Sequence, residues 1–434
     1  MREQNFPPSW SWVKLGNICE TTSGGTPSRK IERYYKGNIP WIKSGELNFN
    51  TIKDSEEKIN KEALDNSSAK LFPKGTLLIA LYGATVGRLA FLGIDAATNQ
   101  AIAAIYTPKN LSNKFLYWYL FSYREHLLKQ RIGGAQPNIS QGTLKNIPIP
   151  LPPLLEQIKI VNKIEELFSQ LDSGIASLKN ANDQIHLYRQ SVLASAFSGK
   201  LVKNNKEAAE HLPYKHVVLK AAEPHFAYKA QDSHQLPNGW KELTVNDICE
   251  KIIGGGTPST GVSKYWDGDT EWITSADIFG LKDIRPRKKI TEEAIKNSAT
   301  NKVPTGTIIV VTRVGLGKLA IAQNELCFSQ DCQGLILKRE LVTEKFALWF
   351  LSKGVEEFKY KNRGTTINGV AKKQLADLKF LLPPLNQQSR IVDEIEKRFS
   401  EADNLEKTID KSLMKAESLK QSILKKAFEG KLLP

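Results

Sequence analysis

Few residues in this chain have the type and spacing that covalent chemistry needs. Glu56-Glu57-Lys58 contains a Glu-x-Lys of nuclease type, but no partner acid is suitably placed and a solvated charge run is the plainer reading. Adenine methylation would require a glycine-bearing strand-to-helix turn for the cofactor and an (Asp/Asn/Ser)-Pro-Pro-(Tyr/Phe/Trp) run for the extruded base. Phe6-Pro7-Pro8-Ser9-Trp10 lacks both ends of that run. Gly83 to Arg88 and Gly315 to Lys318 resemble a phosphate loop only superficially, which argues against a nucleotide-driven motor. Cys19 and Cys249 lie among apolar neighbours, and Cys327 and Cys332 lack ligand company. His211, His216, His225 and His234 have no cysteine nearby and no HExxH spacing, so no metal site is expected. No catalytic constellation emerges.

Non-covalent recognition is better provided for. Gly24-Gly25-Thr26-Pro27-Ser28, with Arg29 beside it, and Gly255-Gly256-Thr257-Pro258-Ser259 could offer backbone N–H groups to a phosphate, or could be tight turns that the fold demands. Gln136-Pro137-Asn138 and Thr365-Thr366-Ile367-Asn368 carry amides able to read adenine edges in a major groove, with turn formation as the alternative. Arg285-Pro286-Arg287-Lys288-Lys289 is a short basic cluster suited to phosphate contact or to solubility alone. The candidate DNA-facing set is therefore Thr26, Ser28, Arg29, Lys43, Ser44, Tyr82, Arg88, Gln136 and Asn138 in the first half. In the second half it is Thr257, Ser259, Thr274, Ser275, Arg285, Arg287, Lys288, Arg313, Lys318, Thr365 and Asn368. Trp41 and Trp272 read as core residues rather than stacking platforms.

The elements that must position these residues come from an internal duplication at an offset of about 231 residues. Asn17-Ile18-Cys19-Glu20 returns as Asp247-Ile248-Cys249-Glu250. Tyr34, Gly37, Trp41-Ile42 and Ser44 return as Tyr265, Gly268, Trp272-Ile273 and Ser275. Leu151 to Leu201 aligns without a gap on Leu382 to Leu432, with 20 identities in 51 positions. Each copy opens with about 150 residues of short Val-, Ile-, Thr- and aromatic-rich runs, such as Thr76 to Tyr82 and Ala101 to Tyr106, which read as strands, and with some helix around Lys114 to Lys129. A long helix then starts at Pro-Pro and stops near glycine.

The first long helix carries a heptad stripe of Val161, Ile164, Phe168, Leu171, Ile175, Leu178, Ile185 and Val192, interrupted by Gln157, Asn182 and Arg189. In the second, Val392, Ile395 and Phe399 open the same stripe, and the stronger apolar series then runs one residue out of step through Leu405, Ile409, Ala416, Leu419 and Ile423. Helices about 65 to 70 Å long cannot bury such stripes in modules this small, so they are expected to pair with each other, antiparallel, about a pseudo-two-fold axis. The expected divisions are a recognition module over 1–150, a helix segment over 151–202, a linker over 203–235, a second module over 236–381 and a second helix segment over 382–434. The fold class is α+β.

Composition agrees with a globular chain of several domains: 434 residues, 41% apolar, 25% charged, net charge +15. Residues 1–150 carry +8 and residues 236–381 carry +5, so the excess sits on the modules while the long helices are nearly neutral. A membrane-surface helix would reverse that distribution; two modules gripping nucleic acid match it. The longest apolar runs are too short to span a bilayer, and sparse cysteine with no secretory leader points to a reduced, cytoplasmic protein.

Three features repeat together: Gly-Gly-Thr-Pro-Ser followed by Tyr-x-x-Gly-x-x-x-Trp-Ile; Leu-Pro-Pro-Leu-x-x-Gln before each long helix; and Ala-Phe-x-Gly-Lys-Leu at each helix end. With them, essentially the whole chain resembles the specificity subunit of type I restriction-modification systems. The resemblance implies a non-catalytic reader of double-stranded DNA with two target recognition domains, one per half of a bipartite sequence, and paired helices that fix the gap. It implies two modification subunits bringing S-adenosylmethionine and restriction subunits bringing ATP, with Mg on those partners and no cofactor in this chain. The extra Gly254, Thr260 in place of Arg29 and Glu271 in place of Pro40 suggest that the two modules read different sequences. Two other readings are a self-contained methyltransferase or nuclease, and a coiled-coil scaffold with protein-binding modules.

Overall fold

A computed structural model describes residues 7–129, 138–201, 236–361 and 369–433. The expected linker 203–235, with its four histidines, lies outside the described residues, as do Gln136, Thr365 and Asn368. The chain divides into two compact units, Met1–Leu178 with Lys411–Pro434, and Lys179–Asp410. Each unit therefore holds one module and a segment of both long helices.

The first module is built from two larger sheets and a two-stranded antiparallel ribbon, Ser11–Lys14 with Pro148–Leu151. One runs in the order Glu20–Ser23, Ile102–Tyr106, Leu77–Ala80, Leu89–Leu92, Asn50–Ile52, antiparallel except for its last pair. The other runs Glu57–Ile59, Ile39–Ile42, Ala96–Thr98, Leu71–Phe72, with its central pair parallel. Strand Leu77–Ala80 is buried throughout, so it lacks polar alternation: Leu77 and Ile79 face the helix Asn113–Lys129, while Leu78 and Ala80 join a separate cluster with Ile42, Phe72 and Ala96.

The second module repeats this plan. Its sheets run Cys249–Gly254, Cys332–Leu337, Ile308–Val311, Leu319–Ile321 and Lys288–Ile290, Thr270–Ile273, Leu326–Phe328, Lys302–Val303. The fifth strand of the first sheet has no counterpart there, and a small ribbon, Ile278–Gly280 with Asp283–Ile284, forms instead. The extra residue of the second copy is absorbed as a bulge: Cys249 pairs with Leu337 and Lys251 with Ile336, which leaves Glu250 without an opposite residue.

The long helices are Leu154–Phe197 and Leu385–Phe428, 44 residues each. Gly199 and Gly430 close them at φ +72° and +71°, where Lys200 N–H reaches back to Ser195 O and Lys431 N–H to Lys426 O. In the first unit Ile160, Val161, Ile164 and Phe168 share a core with Ile423, Leu424, Ala427 and Phe428, and Lys420 donates to Asp172 at 2.6 Å. In the second unit Val192, Leu193, Ala196 and Phe197 share a core with Ile391, Val392 and Ile395, and Arg189 binds Asp403 and Glu406 at 2.5 and 2.7 Å. Position rises along one helix as it falls along the other, so the pairing within each unit is antiparallel. The contacts are repeat equivalents as well: Asp172 corresponds to Asp403, and Lys420 to Arg189.

One expectation fails. The second helix does not slip out of step, because Leu405 and Leu419 are 58% and 49% exposed. The buried frame instead continues from Phe399 through Ala402, Ile409, Ile423 and Ala427, spaced as in the first helix. Glu406 and Lys420 occupy stripe positions of that frame and are held by Arg189 and Asp172. In the first helix Val161, Ile164, Phe168, Ile185 and Val192 are buried, and Leu171, Ile175 and Leu178 half-buried.

Each long helix is joined to its module by a glutamine. Gln157 is fully buried, accepts from Ser112 N–H at 2.8 Å and donates to Asn110 O and Pro152 O. Gln388 does the same with Thr343 N–H, Leu341 O and Pro383 O. The polar interruption of the first stripe at Gln157 is therefore a hydrogen-bonded joint.

Candidate nucleic-acid interface

The paired glycines of the Gly-Gly-Thr-Pro-Ser loops are required by close approach of other backbone. A Cβ at Gly24 would meet Thr98 O at 2.2 Å, and one at Gly25 would meet Ser68 C at 2.3 Å. Their amides are already spent on Ile102 O and Thr98 O, as those of Gly255 and Gly256 are on Cys332 O and Phe328 O. The glycine N–H groups thus serve the fold and do not face a phosphate. Trp41 and Trp272 are core residues, 1% and 4% exposed, and donate to Gly25 O and Gly256 O at 3.0 Å. Thr26 and Thr257 bond to Gln100 and Gln330, while Ser28 and Ser259 are exposed at the rim.

Arg29 and Lys43 converge on one carboxylate. Arg29 meets Glu57 at 2.5 Å and lies over the Tyr35 and Trp41 rings, and Lys43 meets Glu56 at 2.7 Å and Glu57 at 3.1 Å. The Arg29 hydrogen bond holds the Glu57 carboxyl below its usual range against a smaller effect of burial, with Lys43 adding to it. These cations are neutralised locally. Ser44 is half-buried and opens the short helix Ser44–Glu46.

In the second module the same place is a cap. Thr274 hydrogen-bonds Asp277 through both N–H and Oγ1, Arg287 binds the other oxygen of that carboxylate, and Ser275 is buried. Burial raises the Asp277 pKa, but the bonds from Thr274 and Arg287 outweigh it and leave the pKa lowered. Arg285 pairs with Asp283 at 2.7 Å and lies over the exposed Phe279 ring, and Lys288 lies over Trp266. Only part of the basic cluster's charge is left unmatched.

The remaining candidates gather at one hairpin loop in each module. Tyr82, 41% exposed, precedes the turn Gly83–Thr85 and bridges to Asn138; Arg88 follows the turn. In the second module Arg313 and Val314 are exposed at the equivalent loop, Val370 N–H bonds Thr312 O, and Lys318 donates to Ser275 O at 2.9 Å. Arg124 belongs to the first of these sites and was not marked by the sequence. Its stem packs on Gly87, its Nε donates to Val86 O at 3.2 Å, and its guanidinium lies 5.7 Å from the centre of the Phe49 ring. No motif surrounds Arg124, and its repeat equivalent is Val355, which is buried.

Burial pushes the thiols of Cys19 and Cys327 up to about 11 and those of Cys249 and Cys332 to about 12, which makes all four poor nucleophiles. Among the described residues no group of three or more His, Cys, Asp or Glu could hold a metal, and no helix is long and apolar enough to cross a membrane.

Comparison with known proteins gives a consistent result. The pattern of the type I restriction modification DNA specificity domain matches twice, over residues 7–186 and 237–415. The chain is 26% identical over 442 residues to the type I restriction enzyme EcoDI specificity subunit of Escherichia coli, spanning 100% of this chain and 90% of that one. It is 28% identical over 451 residues to the EcoBI specificity subunit of the same organism, spanning 98% and 86%. Its fold matches a chain from a structure titled for complex assembly and conformational transition of the type I R-M system, with TM-score 0.74, 21% identity, and 99% and 100% coverage. It also matches the HsdS subunit from Thermoanaerobacter tengcongensis, with TM-score 0.62, 20% identity and 99% coverage of each chain.

Proposed function

The chain belongs to the type I restriction-modification DNA specificity family, and from that premise we propose that it is the DNA-reading subunit of a type I restriction-modification complex. The observation that carries this reading is the double match: two modules on one plan, each with its own exposed hairpin loop, whose polar residues differ at equivalent places. Residues 1–150 and 236–381 are the two target recognition domains, each reading one half of an asymmetric bipartite site. The long helix segments, 151–202 and 382–434, set the gap between half-sites and dock two modification subunits. The chain itself is non-catalytic. S-adenosylmethionine belongs to the modification subunits, and ATP with Mg belongs to the restriction subunits. The assembly acts on double-stranded DNA in the cytoplasm.

The test is to map N6-methyladenine in cells carrying this chain with its modification partner, then to exchange residues 1–150 for another such module. One half-site should change and the other should stay. A change in both half-sites, or methylation by the lone chain, would defeat the reading.

A further inference from the structure

We propose that Arg88 and Arg124 together grip one backbone phosphodiester of the half-site read by the first module, which makes Arg124 a DNA contact that no motif marks. The proposal rests on the DNA-reading function above and adds a defined anion site to it.

The argument begins with charge left over. Of the eleven arginines among the described residues, seven lie within 4.0 Å of a carboxylate. The four that do not are Arg88, Arg124, Arg313 and Arg390. Arg88 and Arg313 stand at the hairpin loops of the first and second modules, and Arg124 reaches the first of these loops from the helix Asn113–Lys129. At the first module's loop two guanidinium groups share the site, because the Arg124 stem packs on Gly87, the residue next to Arg88. Half-burial and the neighbouring charge of Arg88 both depress the pKa of Arg124. A like-charged pair away from any carboxylate is costly to fold unless an anion joins it.

Arg124 is also held ready. Its stem fills the space that a side chain at Gly87 would take, with Cγ 2.9 Å from the position of a Cβ there. The bond to Val86 O uses one donor and leaves the rest of the fork unspent. Phe49, beneath the guanidinium, has φ +57°, a left-handed conformation that bulky residues rarely adopt, and its ring is braced edge-on by Phe121 at 5.0 Å. Strain of this kind at a surface cation fits a group positioned for a ligand. The second module has Val355 in place of Arg124 and so presents Arg313 without a second cation from that helix.

The full-length chain in complex with its modification partner would be titrated with a duplex carrying the site mapped by methylation, at several salt concentrations. Arg88→Gln and Arg124→Gln should each weaken binding about tenfold and lower the slope of log affinity against log salt by about 0.9, the value for one phosphate. The double variant should lose little more than either single one. Arg124→Lys should recover the slope but not the full affinity. One neutral methylphosphonate in the first half-site should weaken the unaltered protein by the same factor and leave Arg124→Gln unaffected. The melting temperature of Arg124→Gln should stay level or rise, since a repulsion is removed. If the unaltered complex binds its site but Arg124→Gln matches it in affinity and slope, or if both suffer equally at every methylphosphonate, the phosphate grip is wrong. If the unaltered complex shows no preference for the mapped site, the DNA-reading function fails and the grip fails with it.

Discussion

Gln388→Leu should loosen the joint between the second module and its helix, and the size of the effect follows from three bonds. The side chain is fully buried, accepts from Thr343 N–H at 2.8 Å, and donates to Leu341 O at 2.8 Å and Pro383 O at 2.9 Å. Leucine has nearly the same volume and leaves all three backbone groups without their partner. The Pro383 contact is the most enclosed and should cost about 1–3 kcal/mol, while the other two, nearer water, should cost about 0.5–1.5 kcal/mol each. A total near 4 kcal/mol, in a unit of about 230 residues, lowers the melting temperature by about 8–16 °C. Gln388→Glu keeps the acceptor but sets a carboxylate against two carbonyl oxygens, so at neutral pH it should be worse than leucine. Its folded pKa is raised by burial and by those oxygens. The deficit relative to the unaltered protein should therefore be full above the folded pKa and shrink as pH falls toward the ordinary glutamate value near 4.3. Calorimetry gives the order glutamine, leucine, glutamate, and hydrogen exchange should show lost protection around residues 341–343. Gln170→Leu, at an exposed position, is the control. If Gln388→Leu melts within about 1 °C of the unaltered protein, the buried bonds are not what joins helix to module.

Other consequences can be checked alongside. A double-mutant cycle on Arg189→Gln and Glu406→Gln, read by urea unfolding, should give a coupling of about 1–2 kcal/mol, because both side chains are about three-quarters buried or more and share a hydrogen-bonded pair; additive losses would contradict it. Leu405→Ser and Leu419→Ser should stay within about 0.5 kcal/mol of the unaltered protein, whereas Ile164→Ala should cost about 2–5 kcal/mol, and a cost above about 2 kcal/mol at Leu405 would restore the slipped frame. Asp277 has a folded pKa below its unfolded value, so its contribution is present above about pH 3.9 and is lost as pH falls through the folded pKa. Acid titration of Asp277→Asn should accordingly show a flatter loss of stability below about pH 4 than the unaltered protein, and an unchanged profile would count against the Thr274–Asp277–Arg287 cap.

The duplication, the proline starts and glycine stops of the long helices, and the concentration of positive charge on the modules were all legible in the residues. Each depends on local backbone preference or on simple counting. Trp41 and Trp272, core residues on the sequence reading, are buried in the fold. The phase of the second stripe could not be read in the same way. Leucine at 405 and 419 outweighs glutamate at 406 and lysine at 420 on hydrophobicity, yet a charged residue can hold a core position when the facing helix supplies its counter-charge. Arg189 and Asp172 do so from more than 200 residues away.

The same physics divides the basic residues of the surface. Residue type alone made Arg29, Lys43 and Arg285 equal to Arg88 as candidates for a phosphate. Folding brought Glu57 and Asp283 to the first three and brought Arg124 to the fourth. By itself the sequence determined a duplicated basic chain in which each module is followed by a long helix. Which of the described arginines lack a carboxylate partner was decided only by the tertiary structure, because a charge is paired or left over according to neighbours that chain order does not specify.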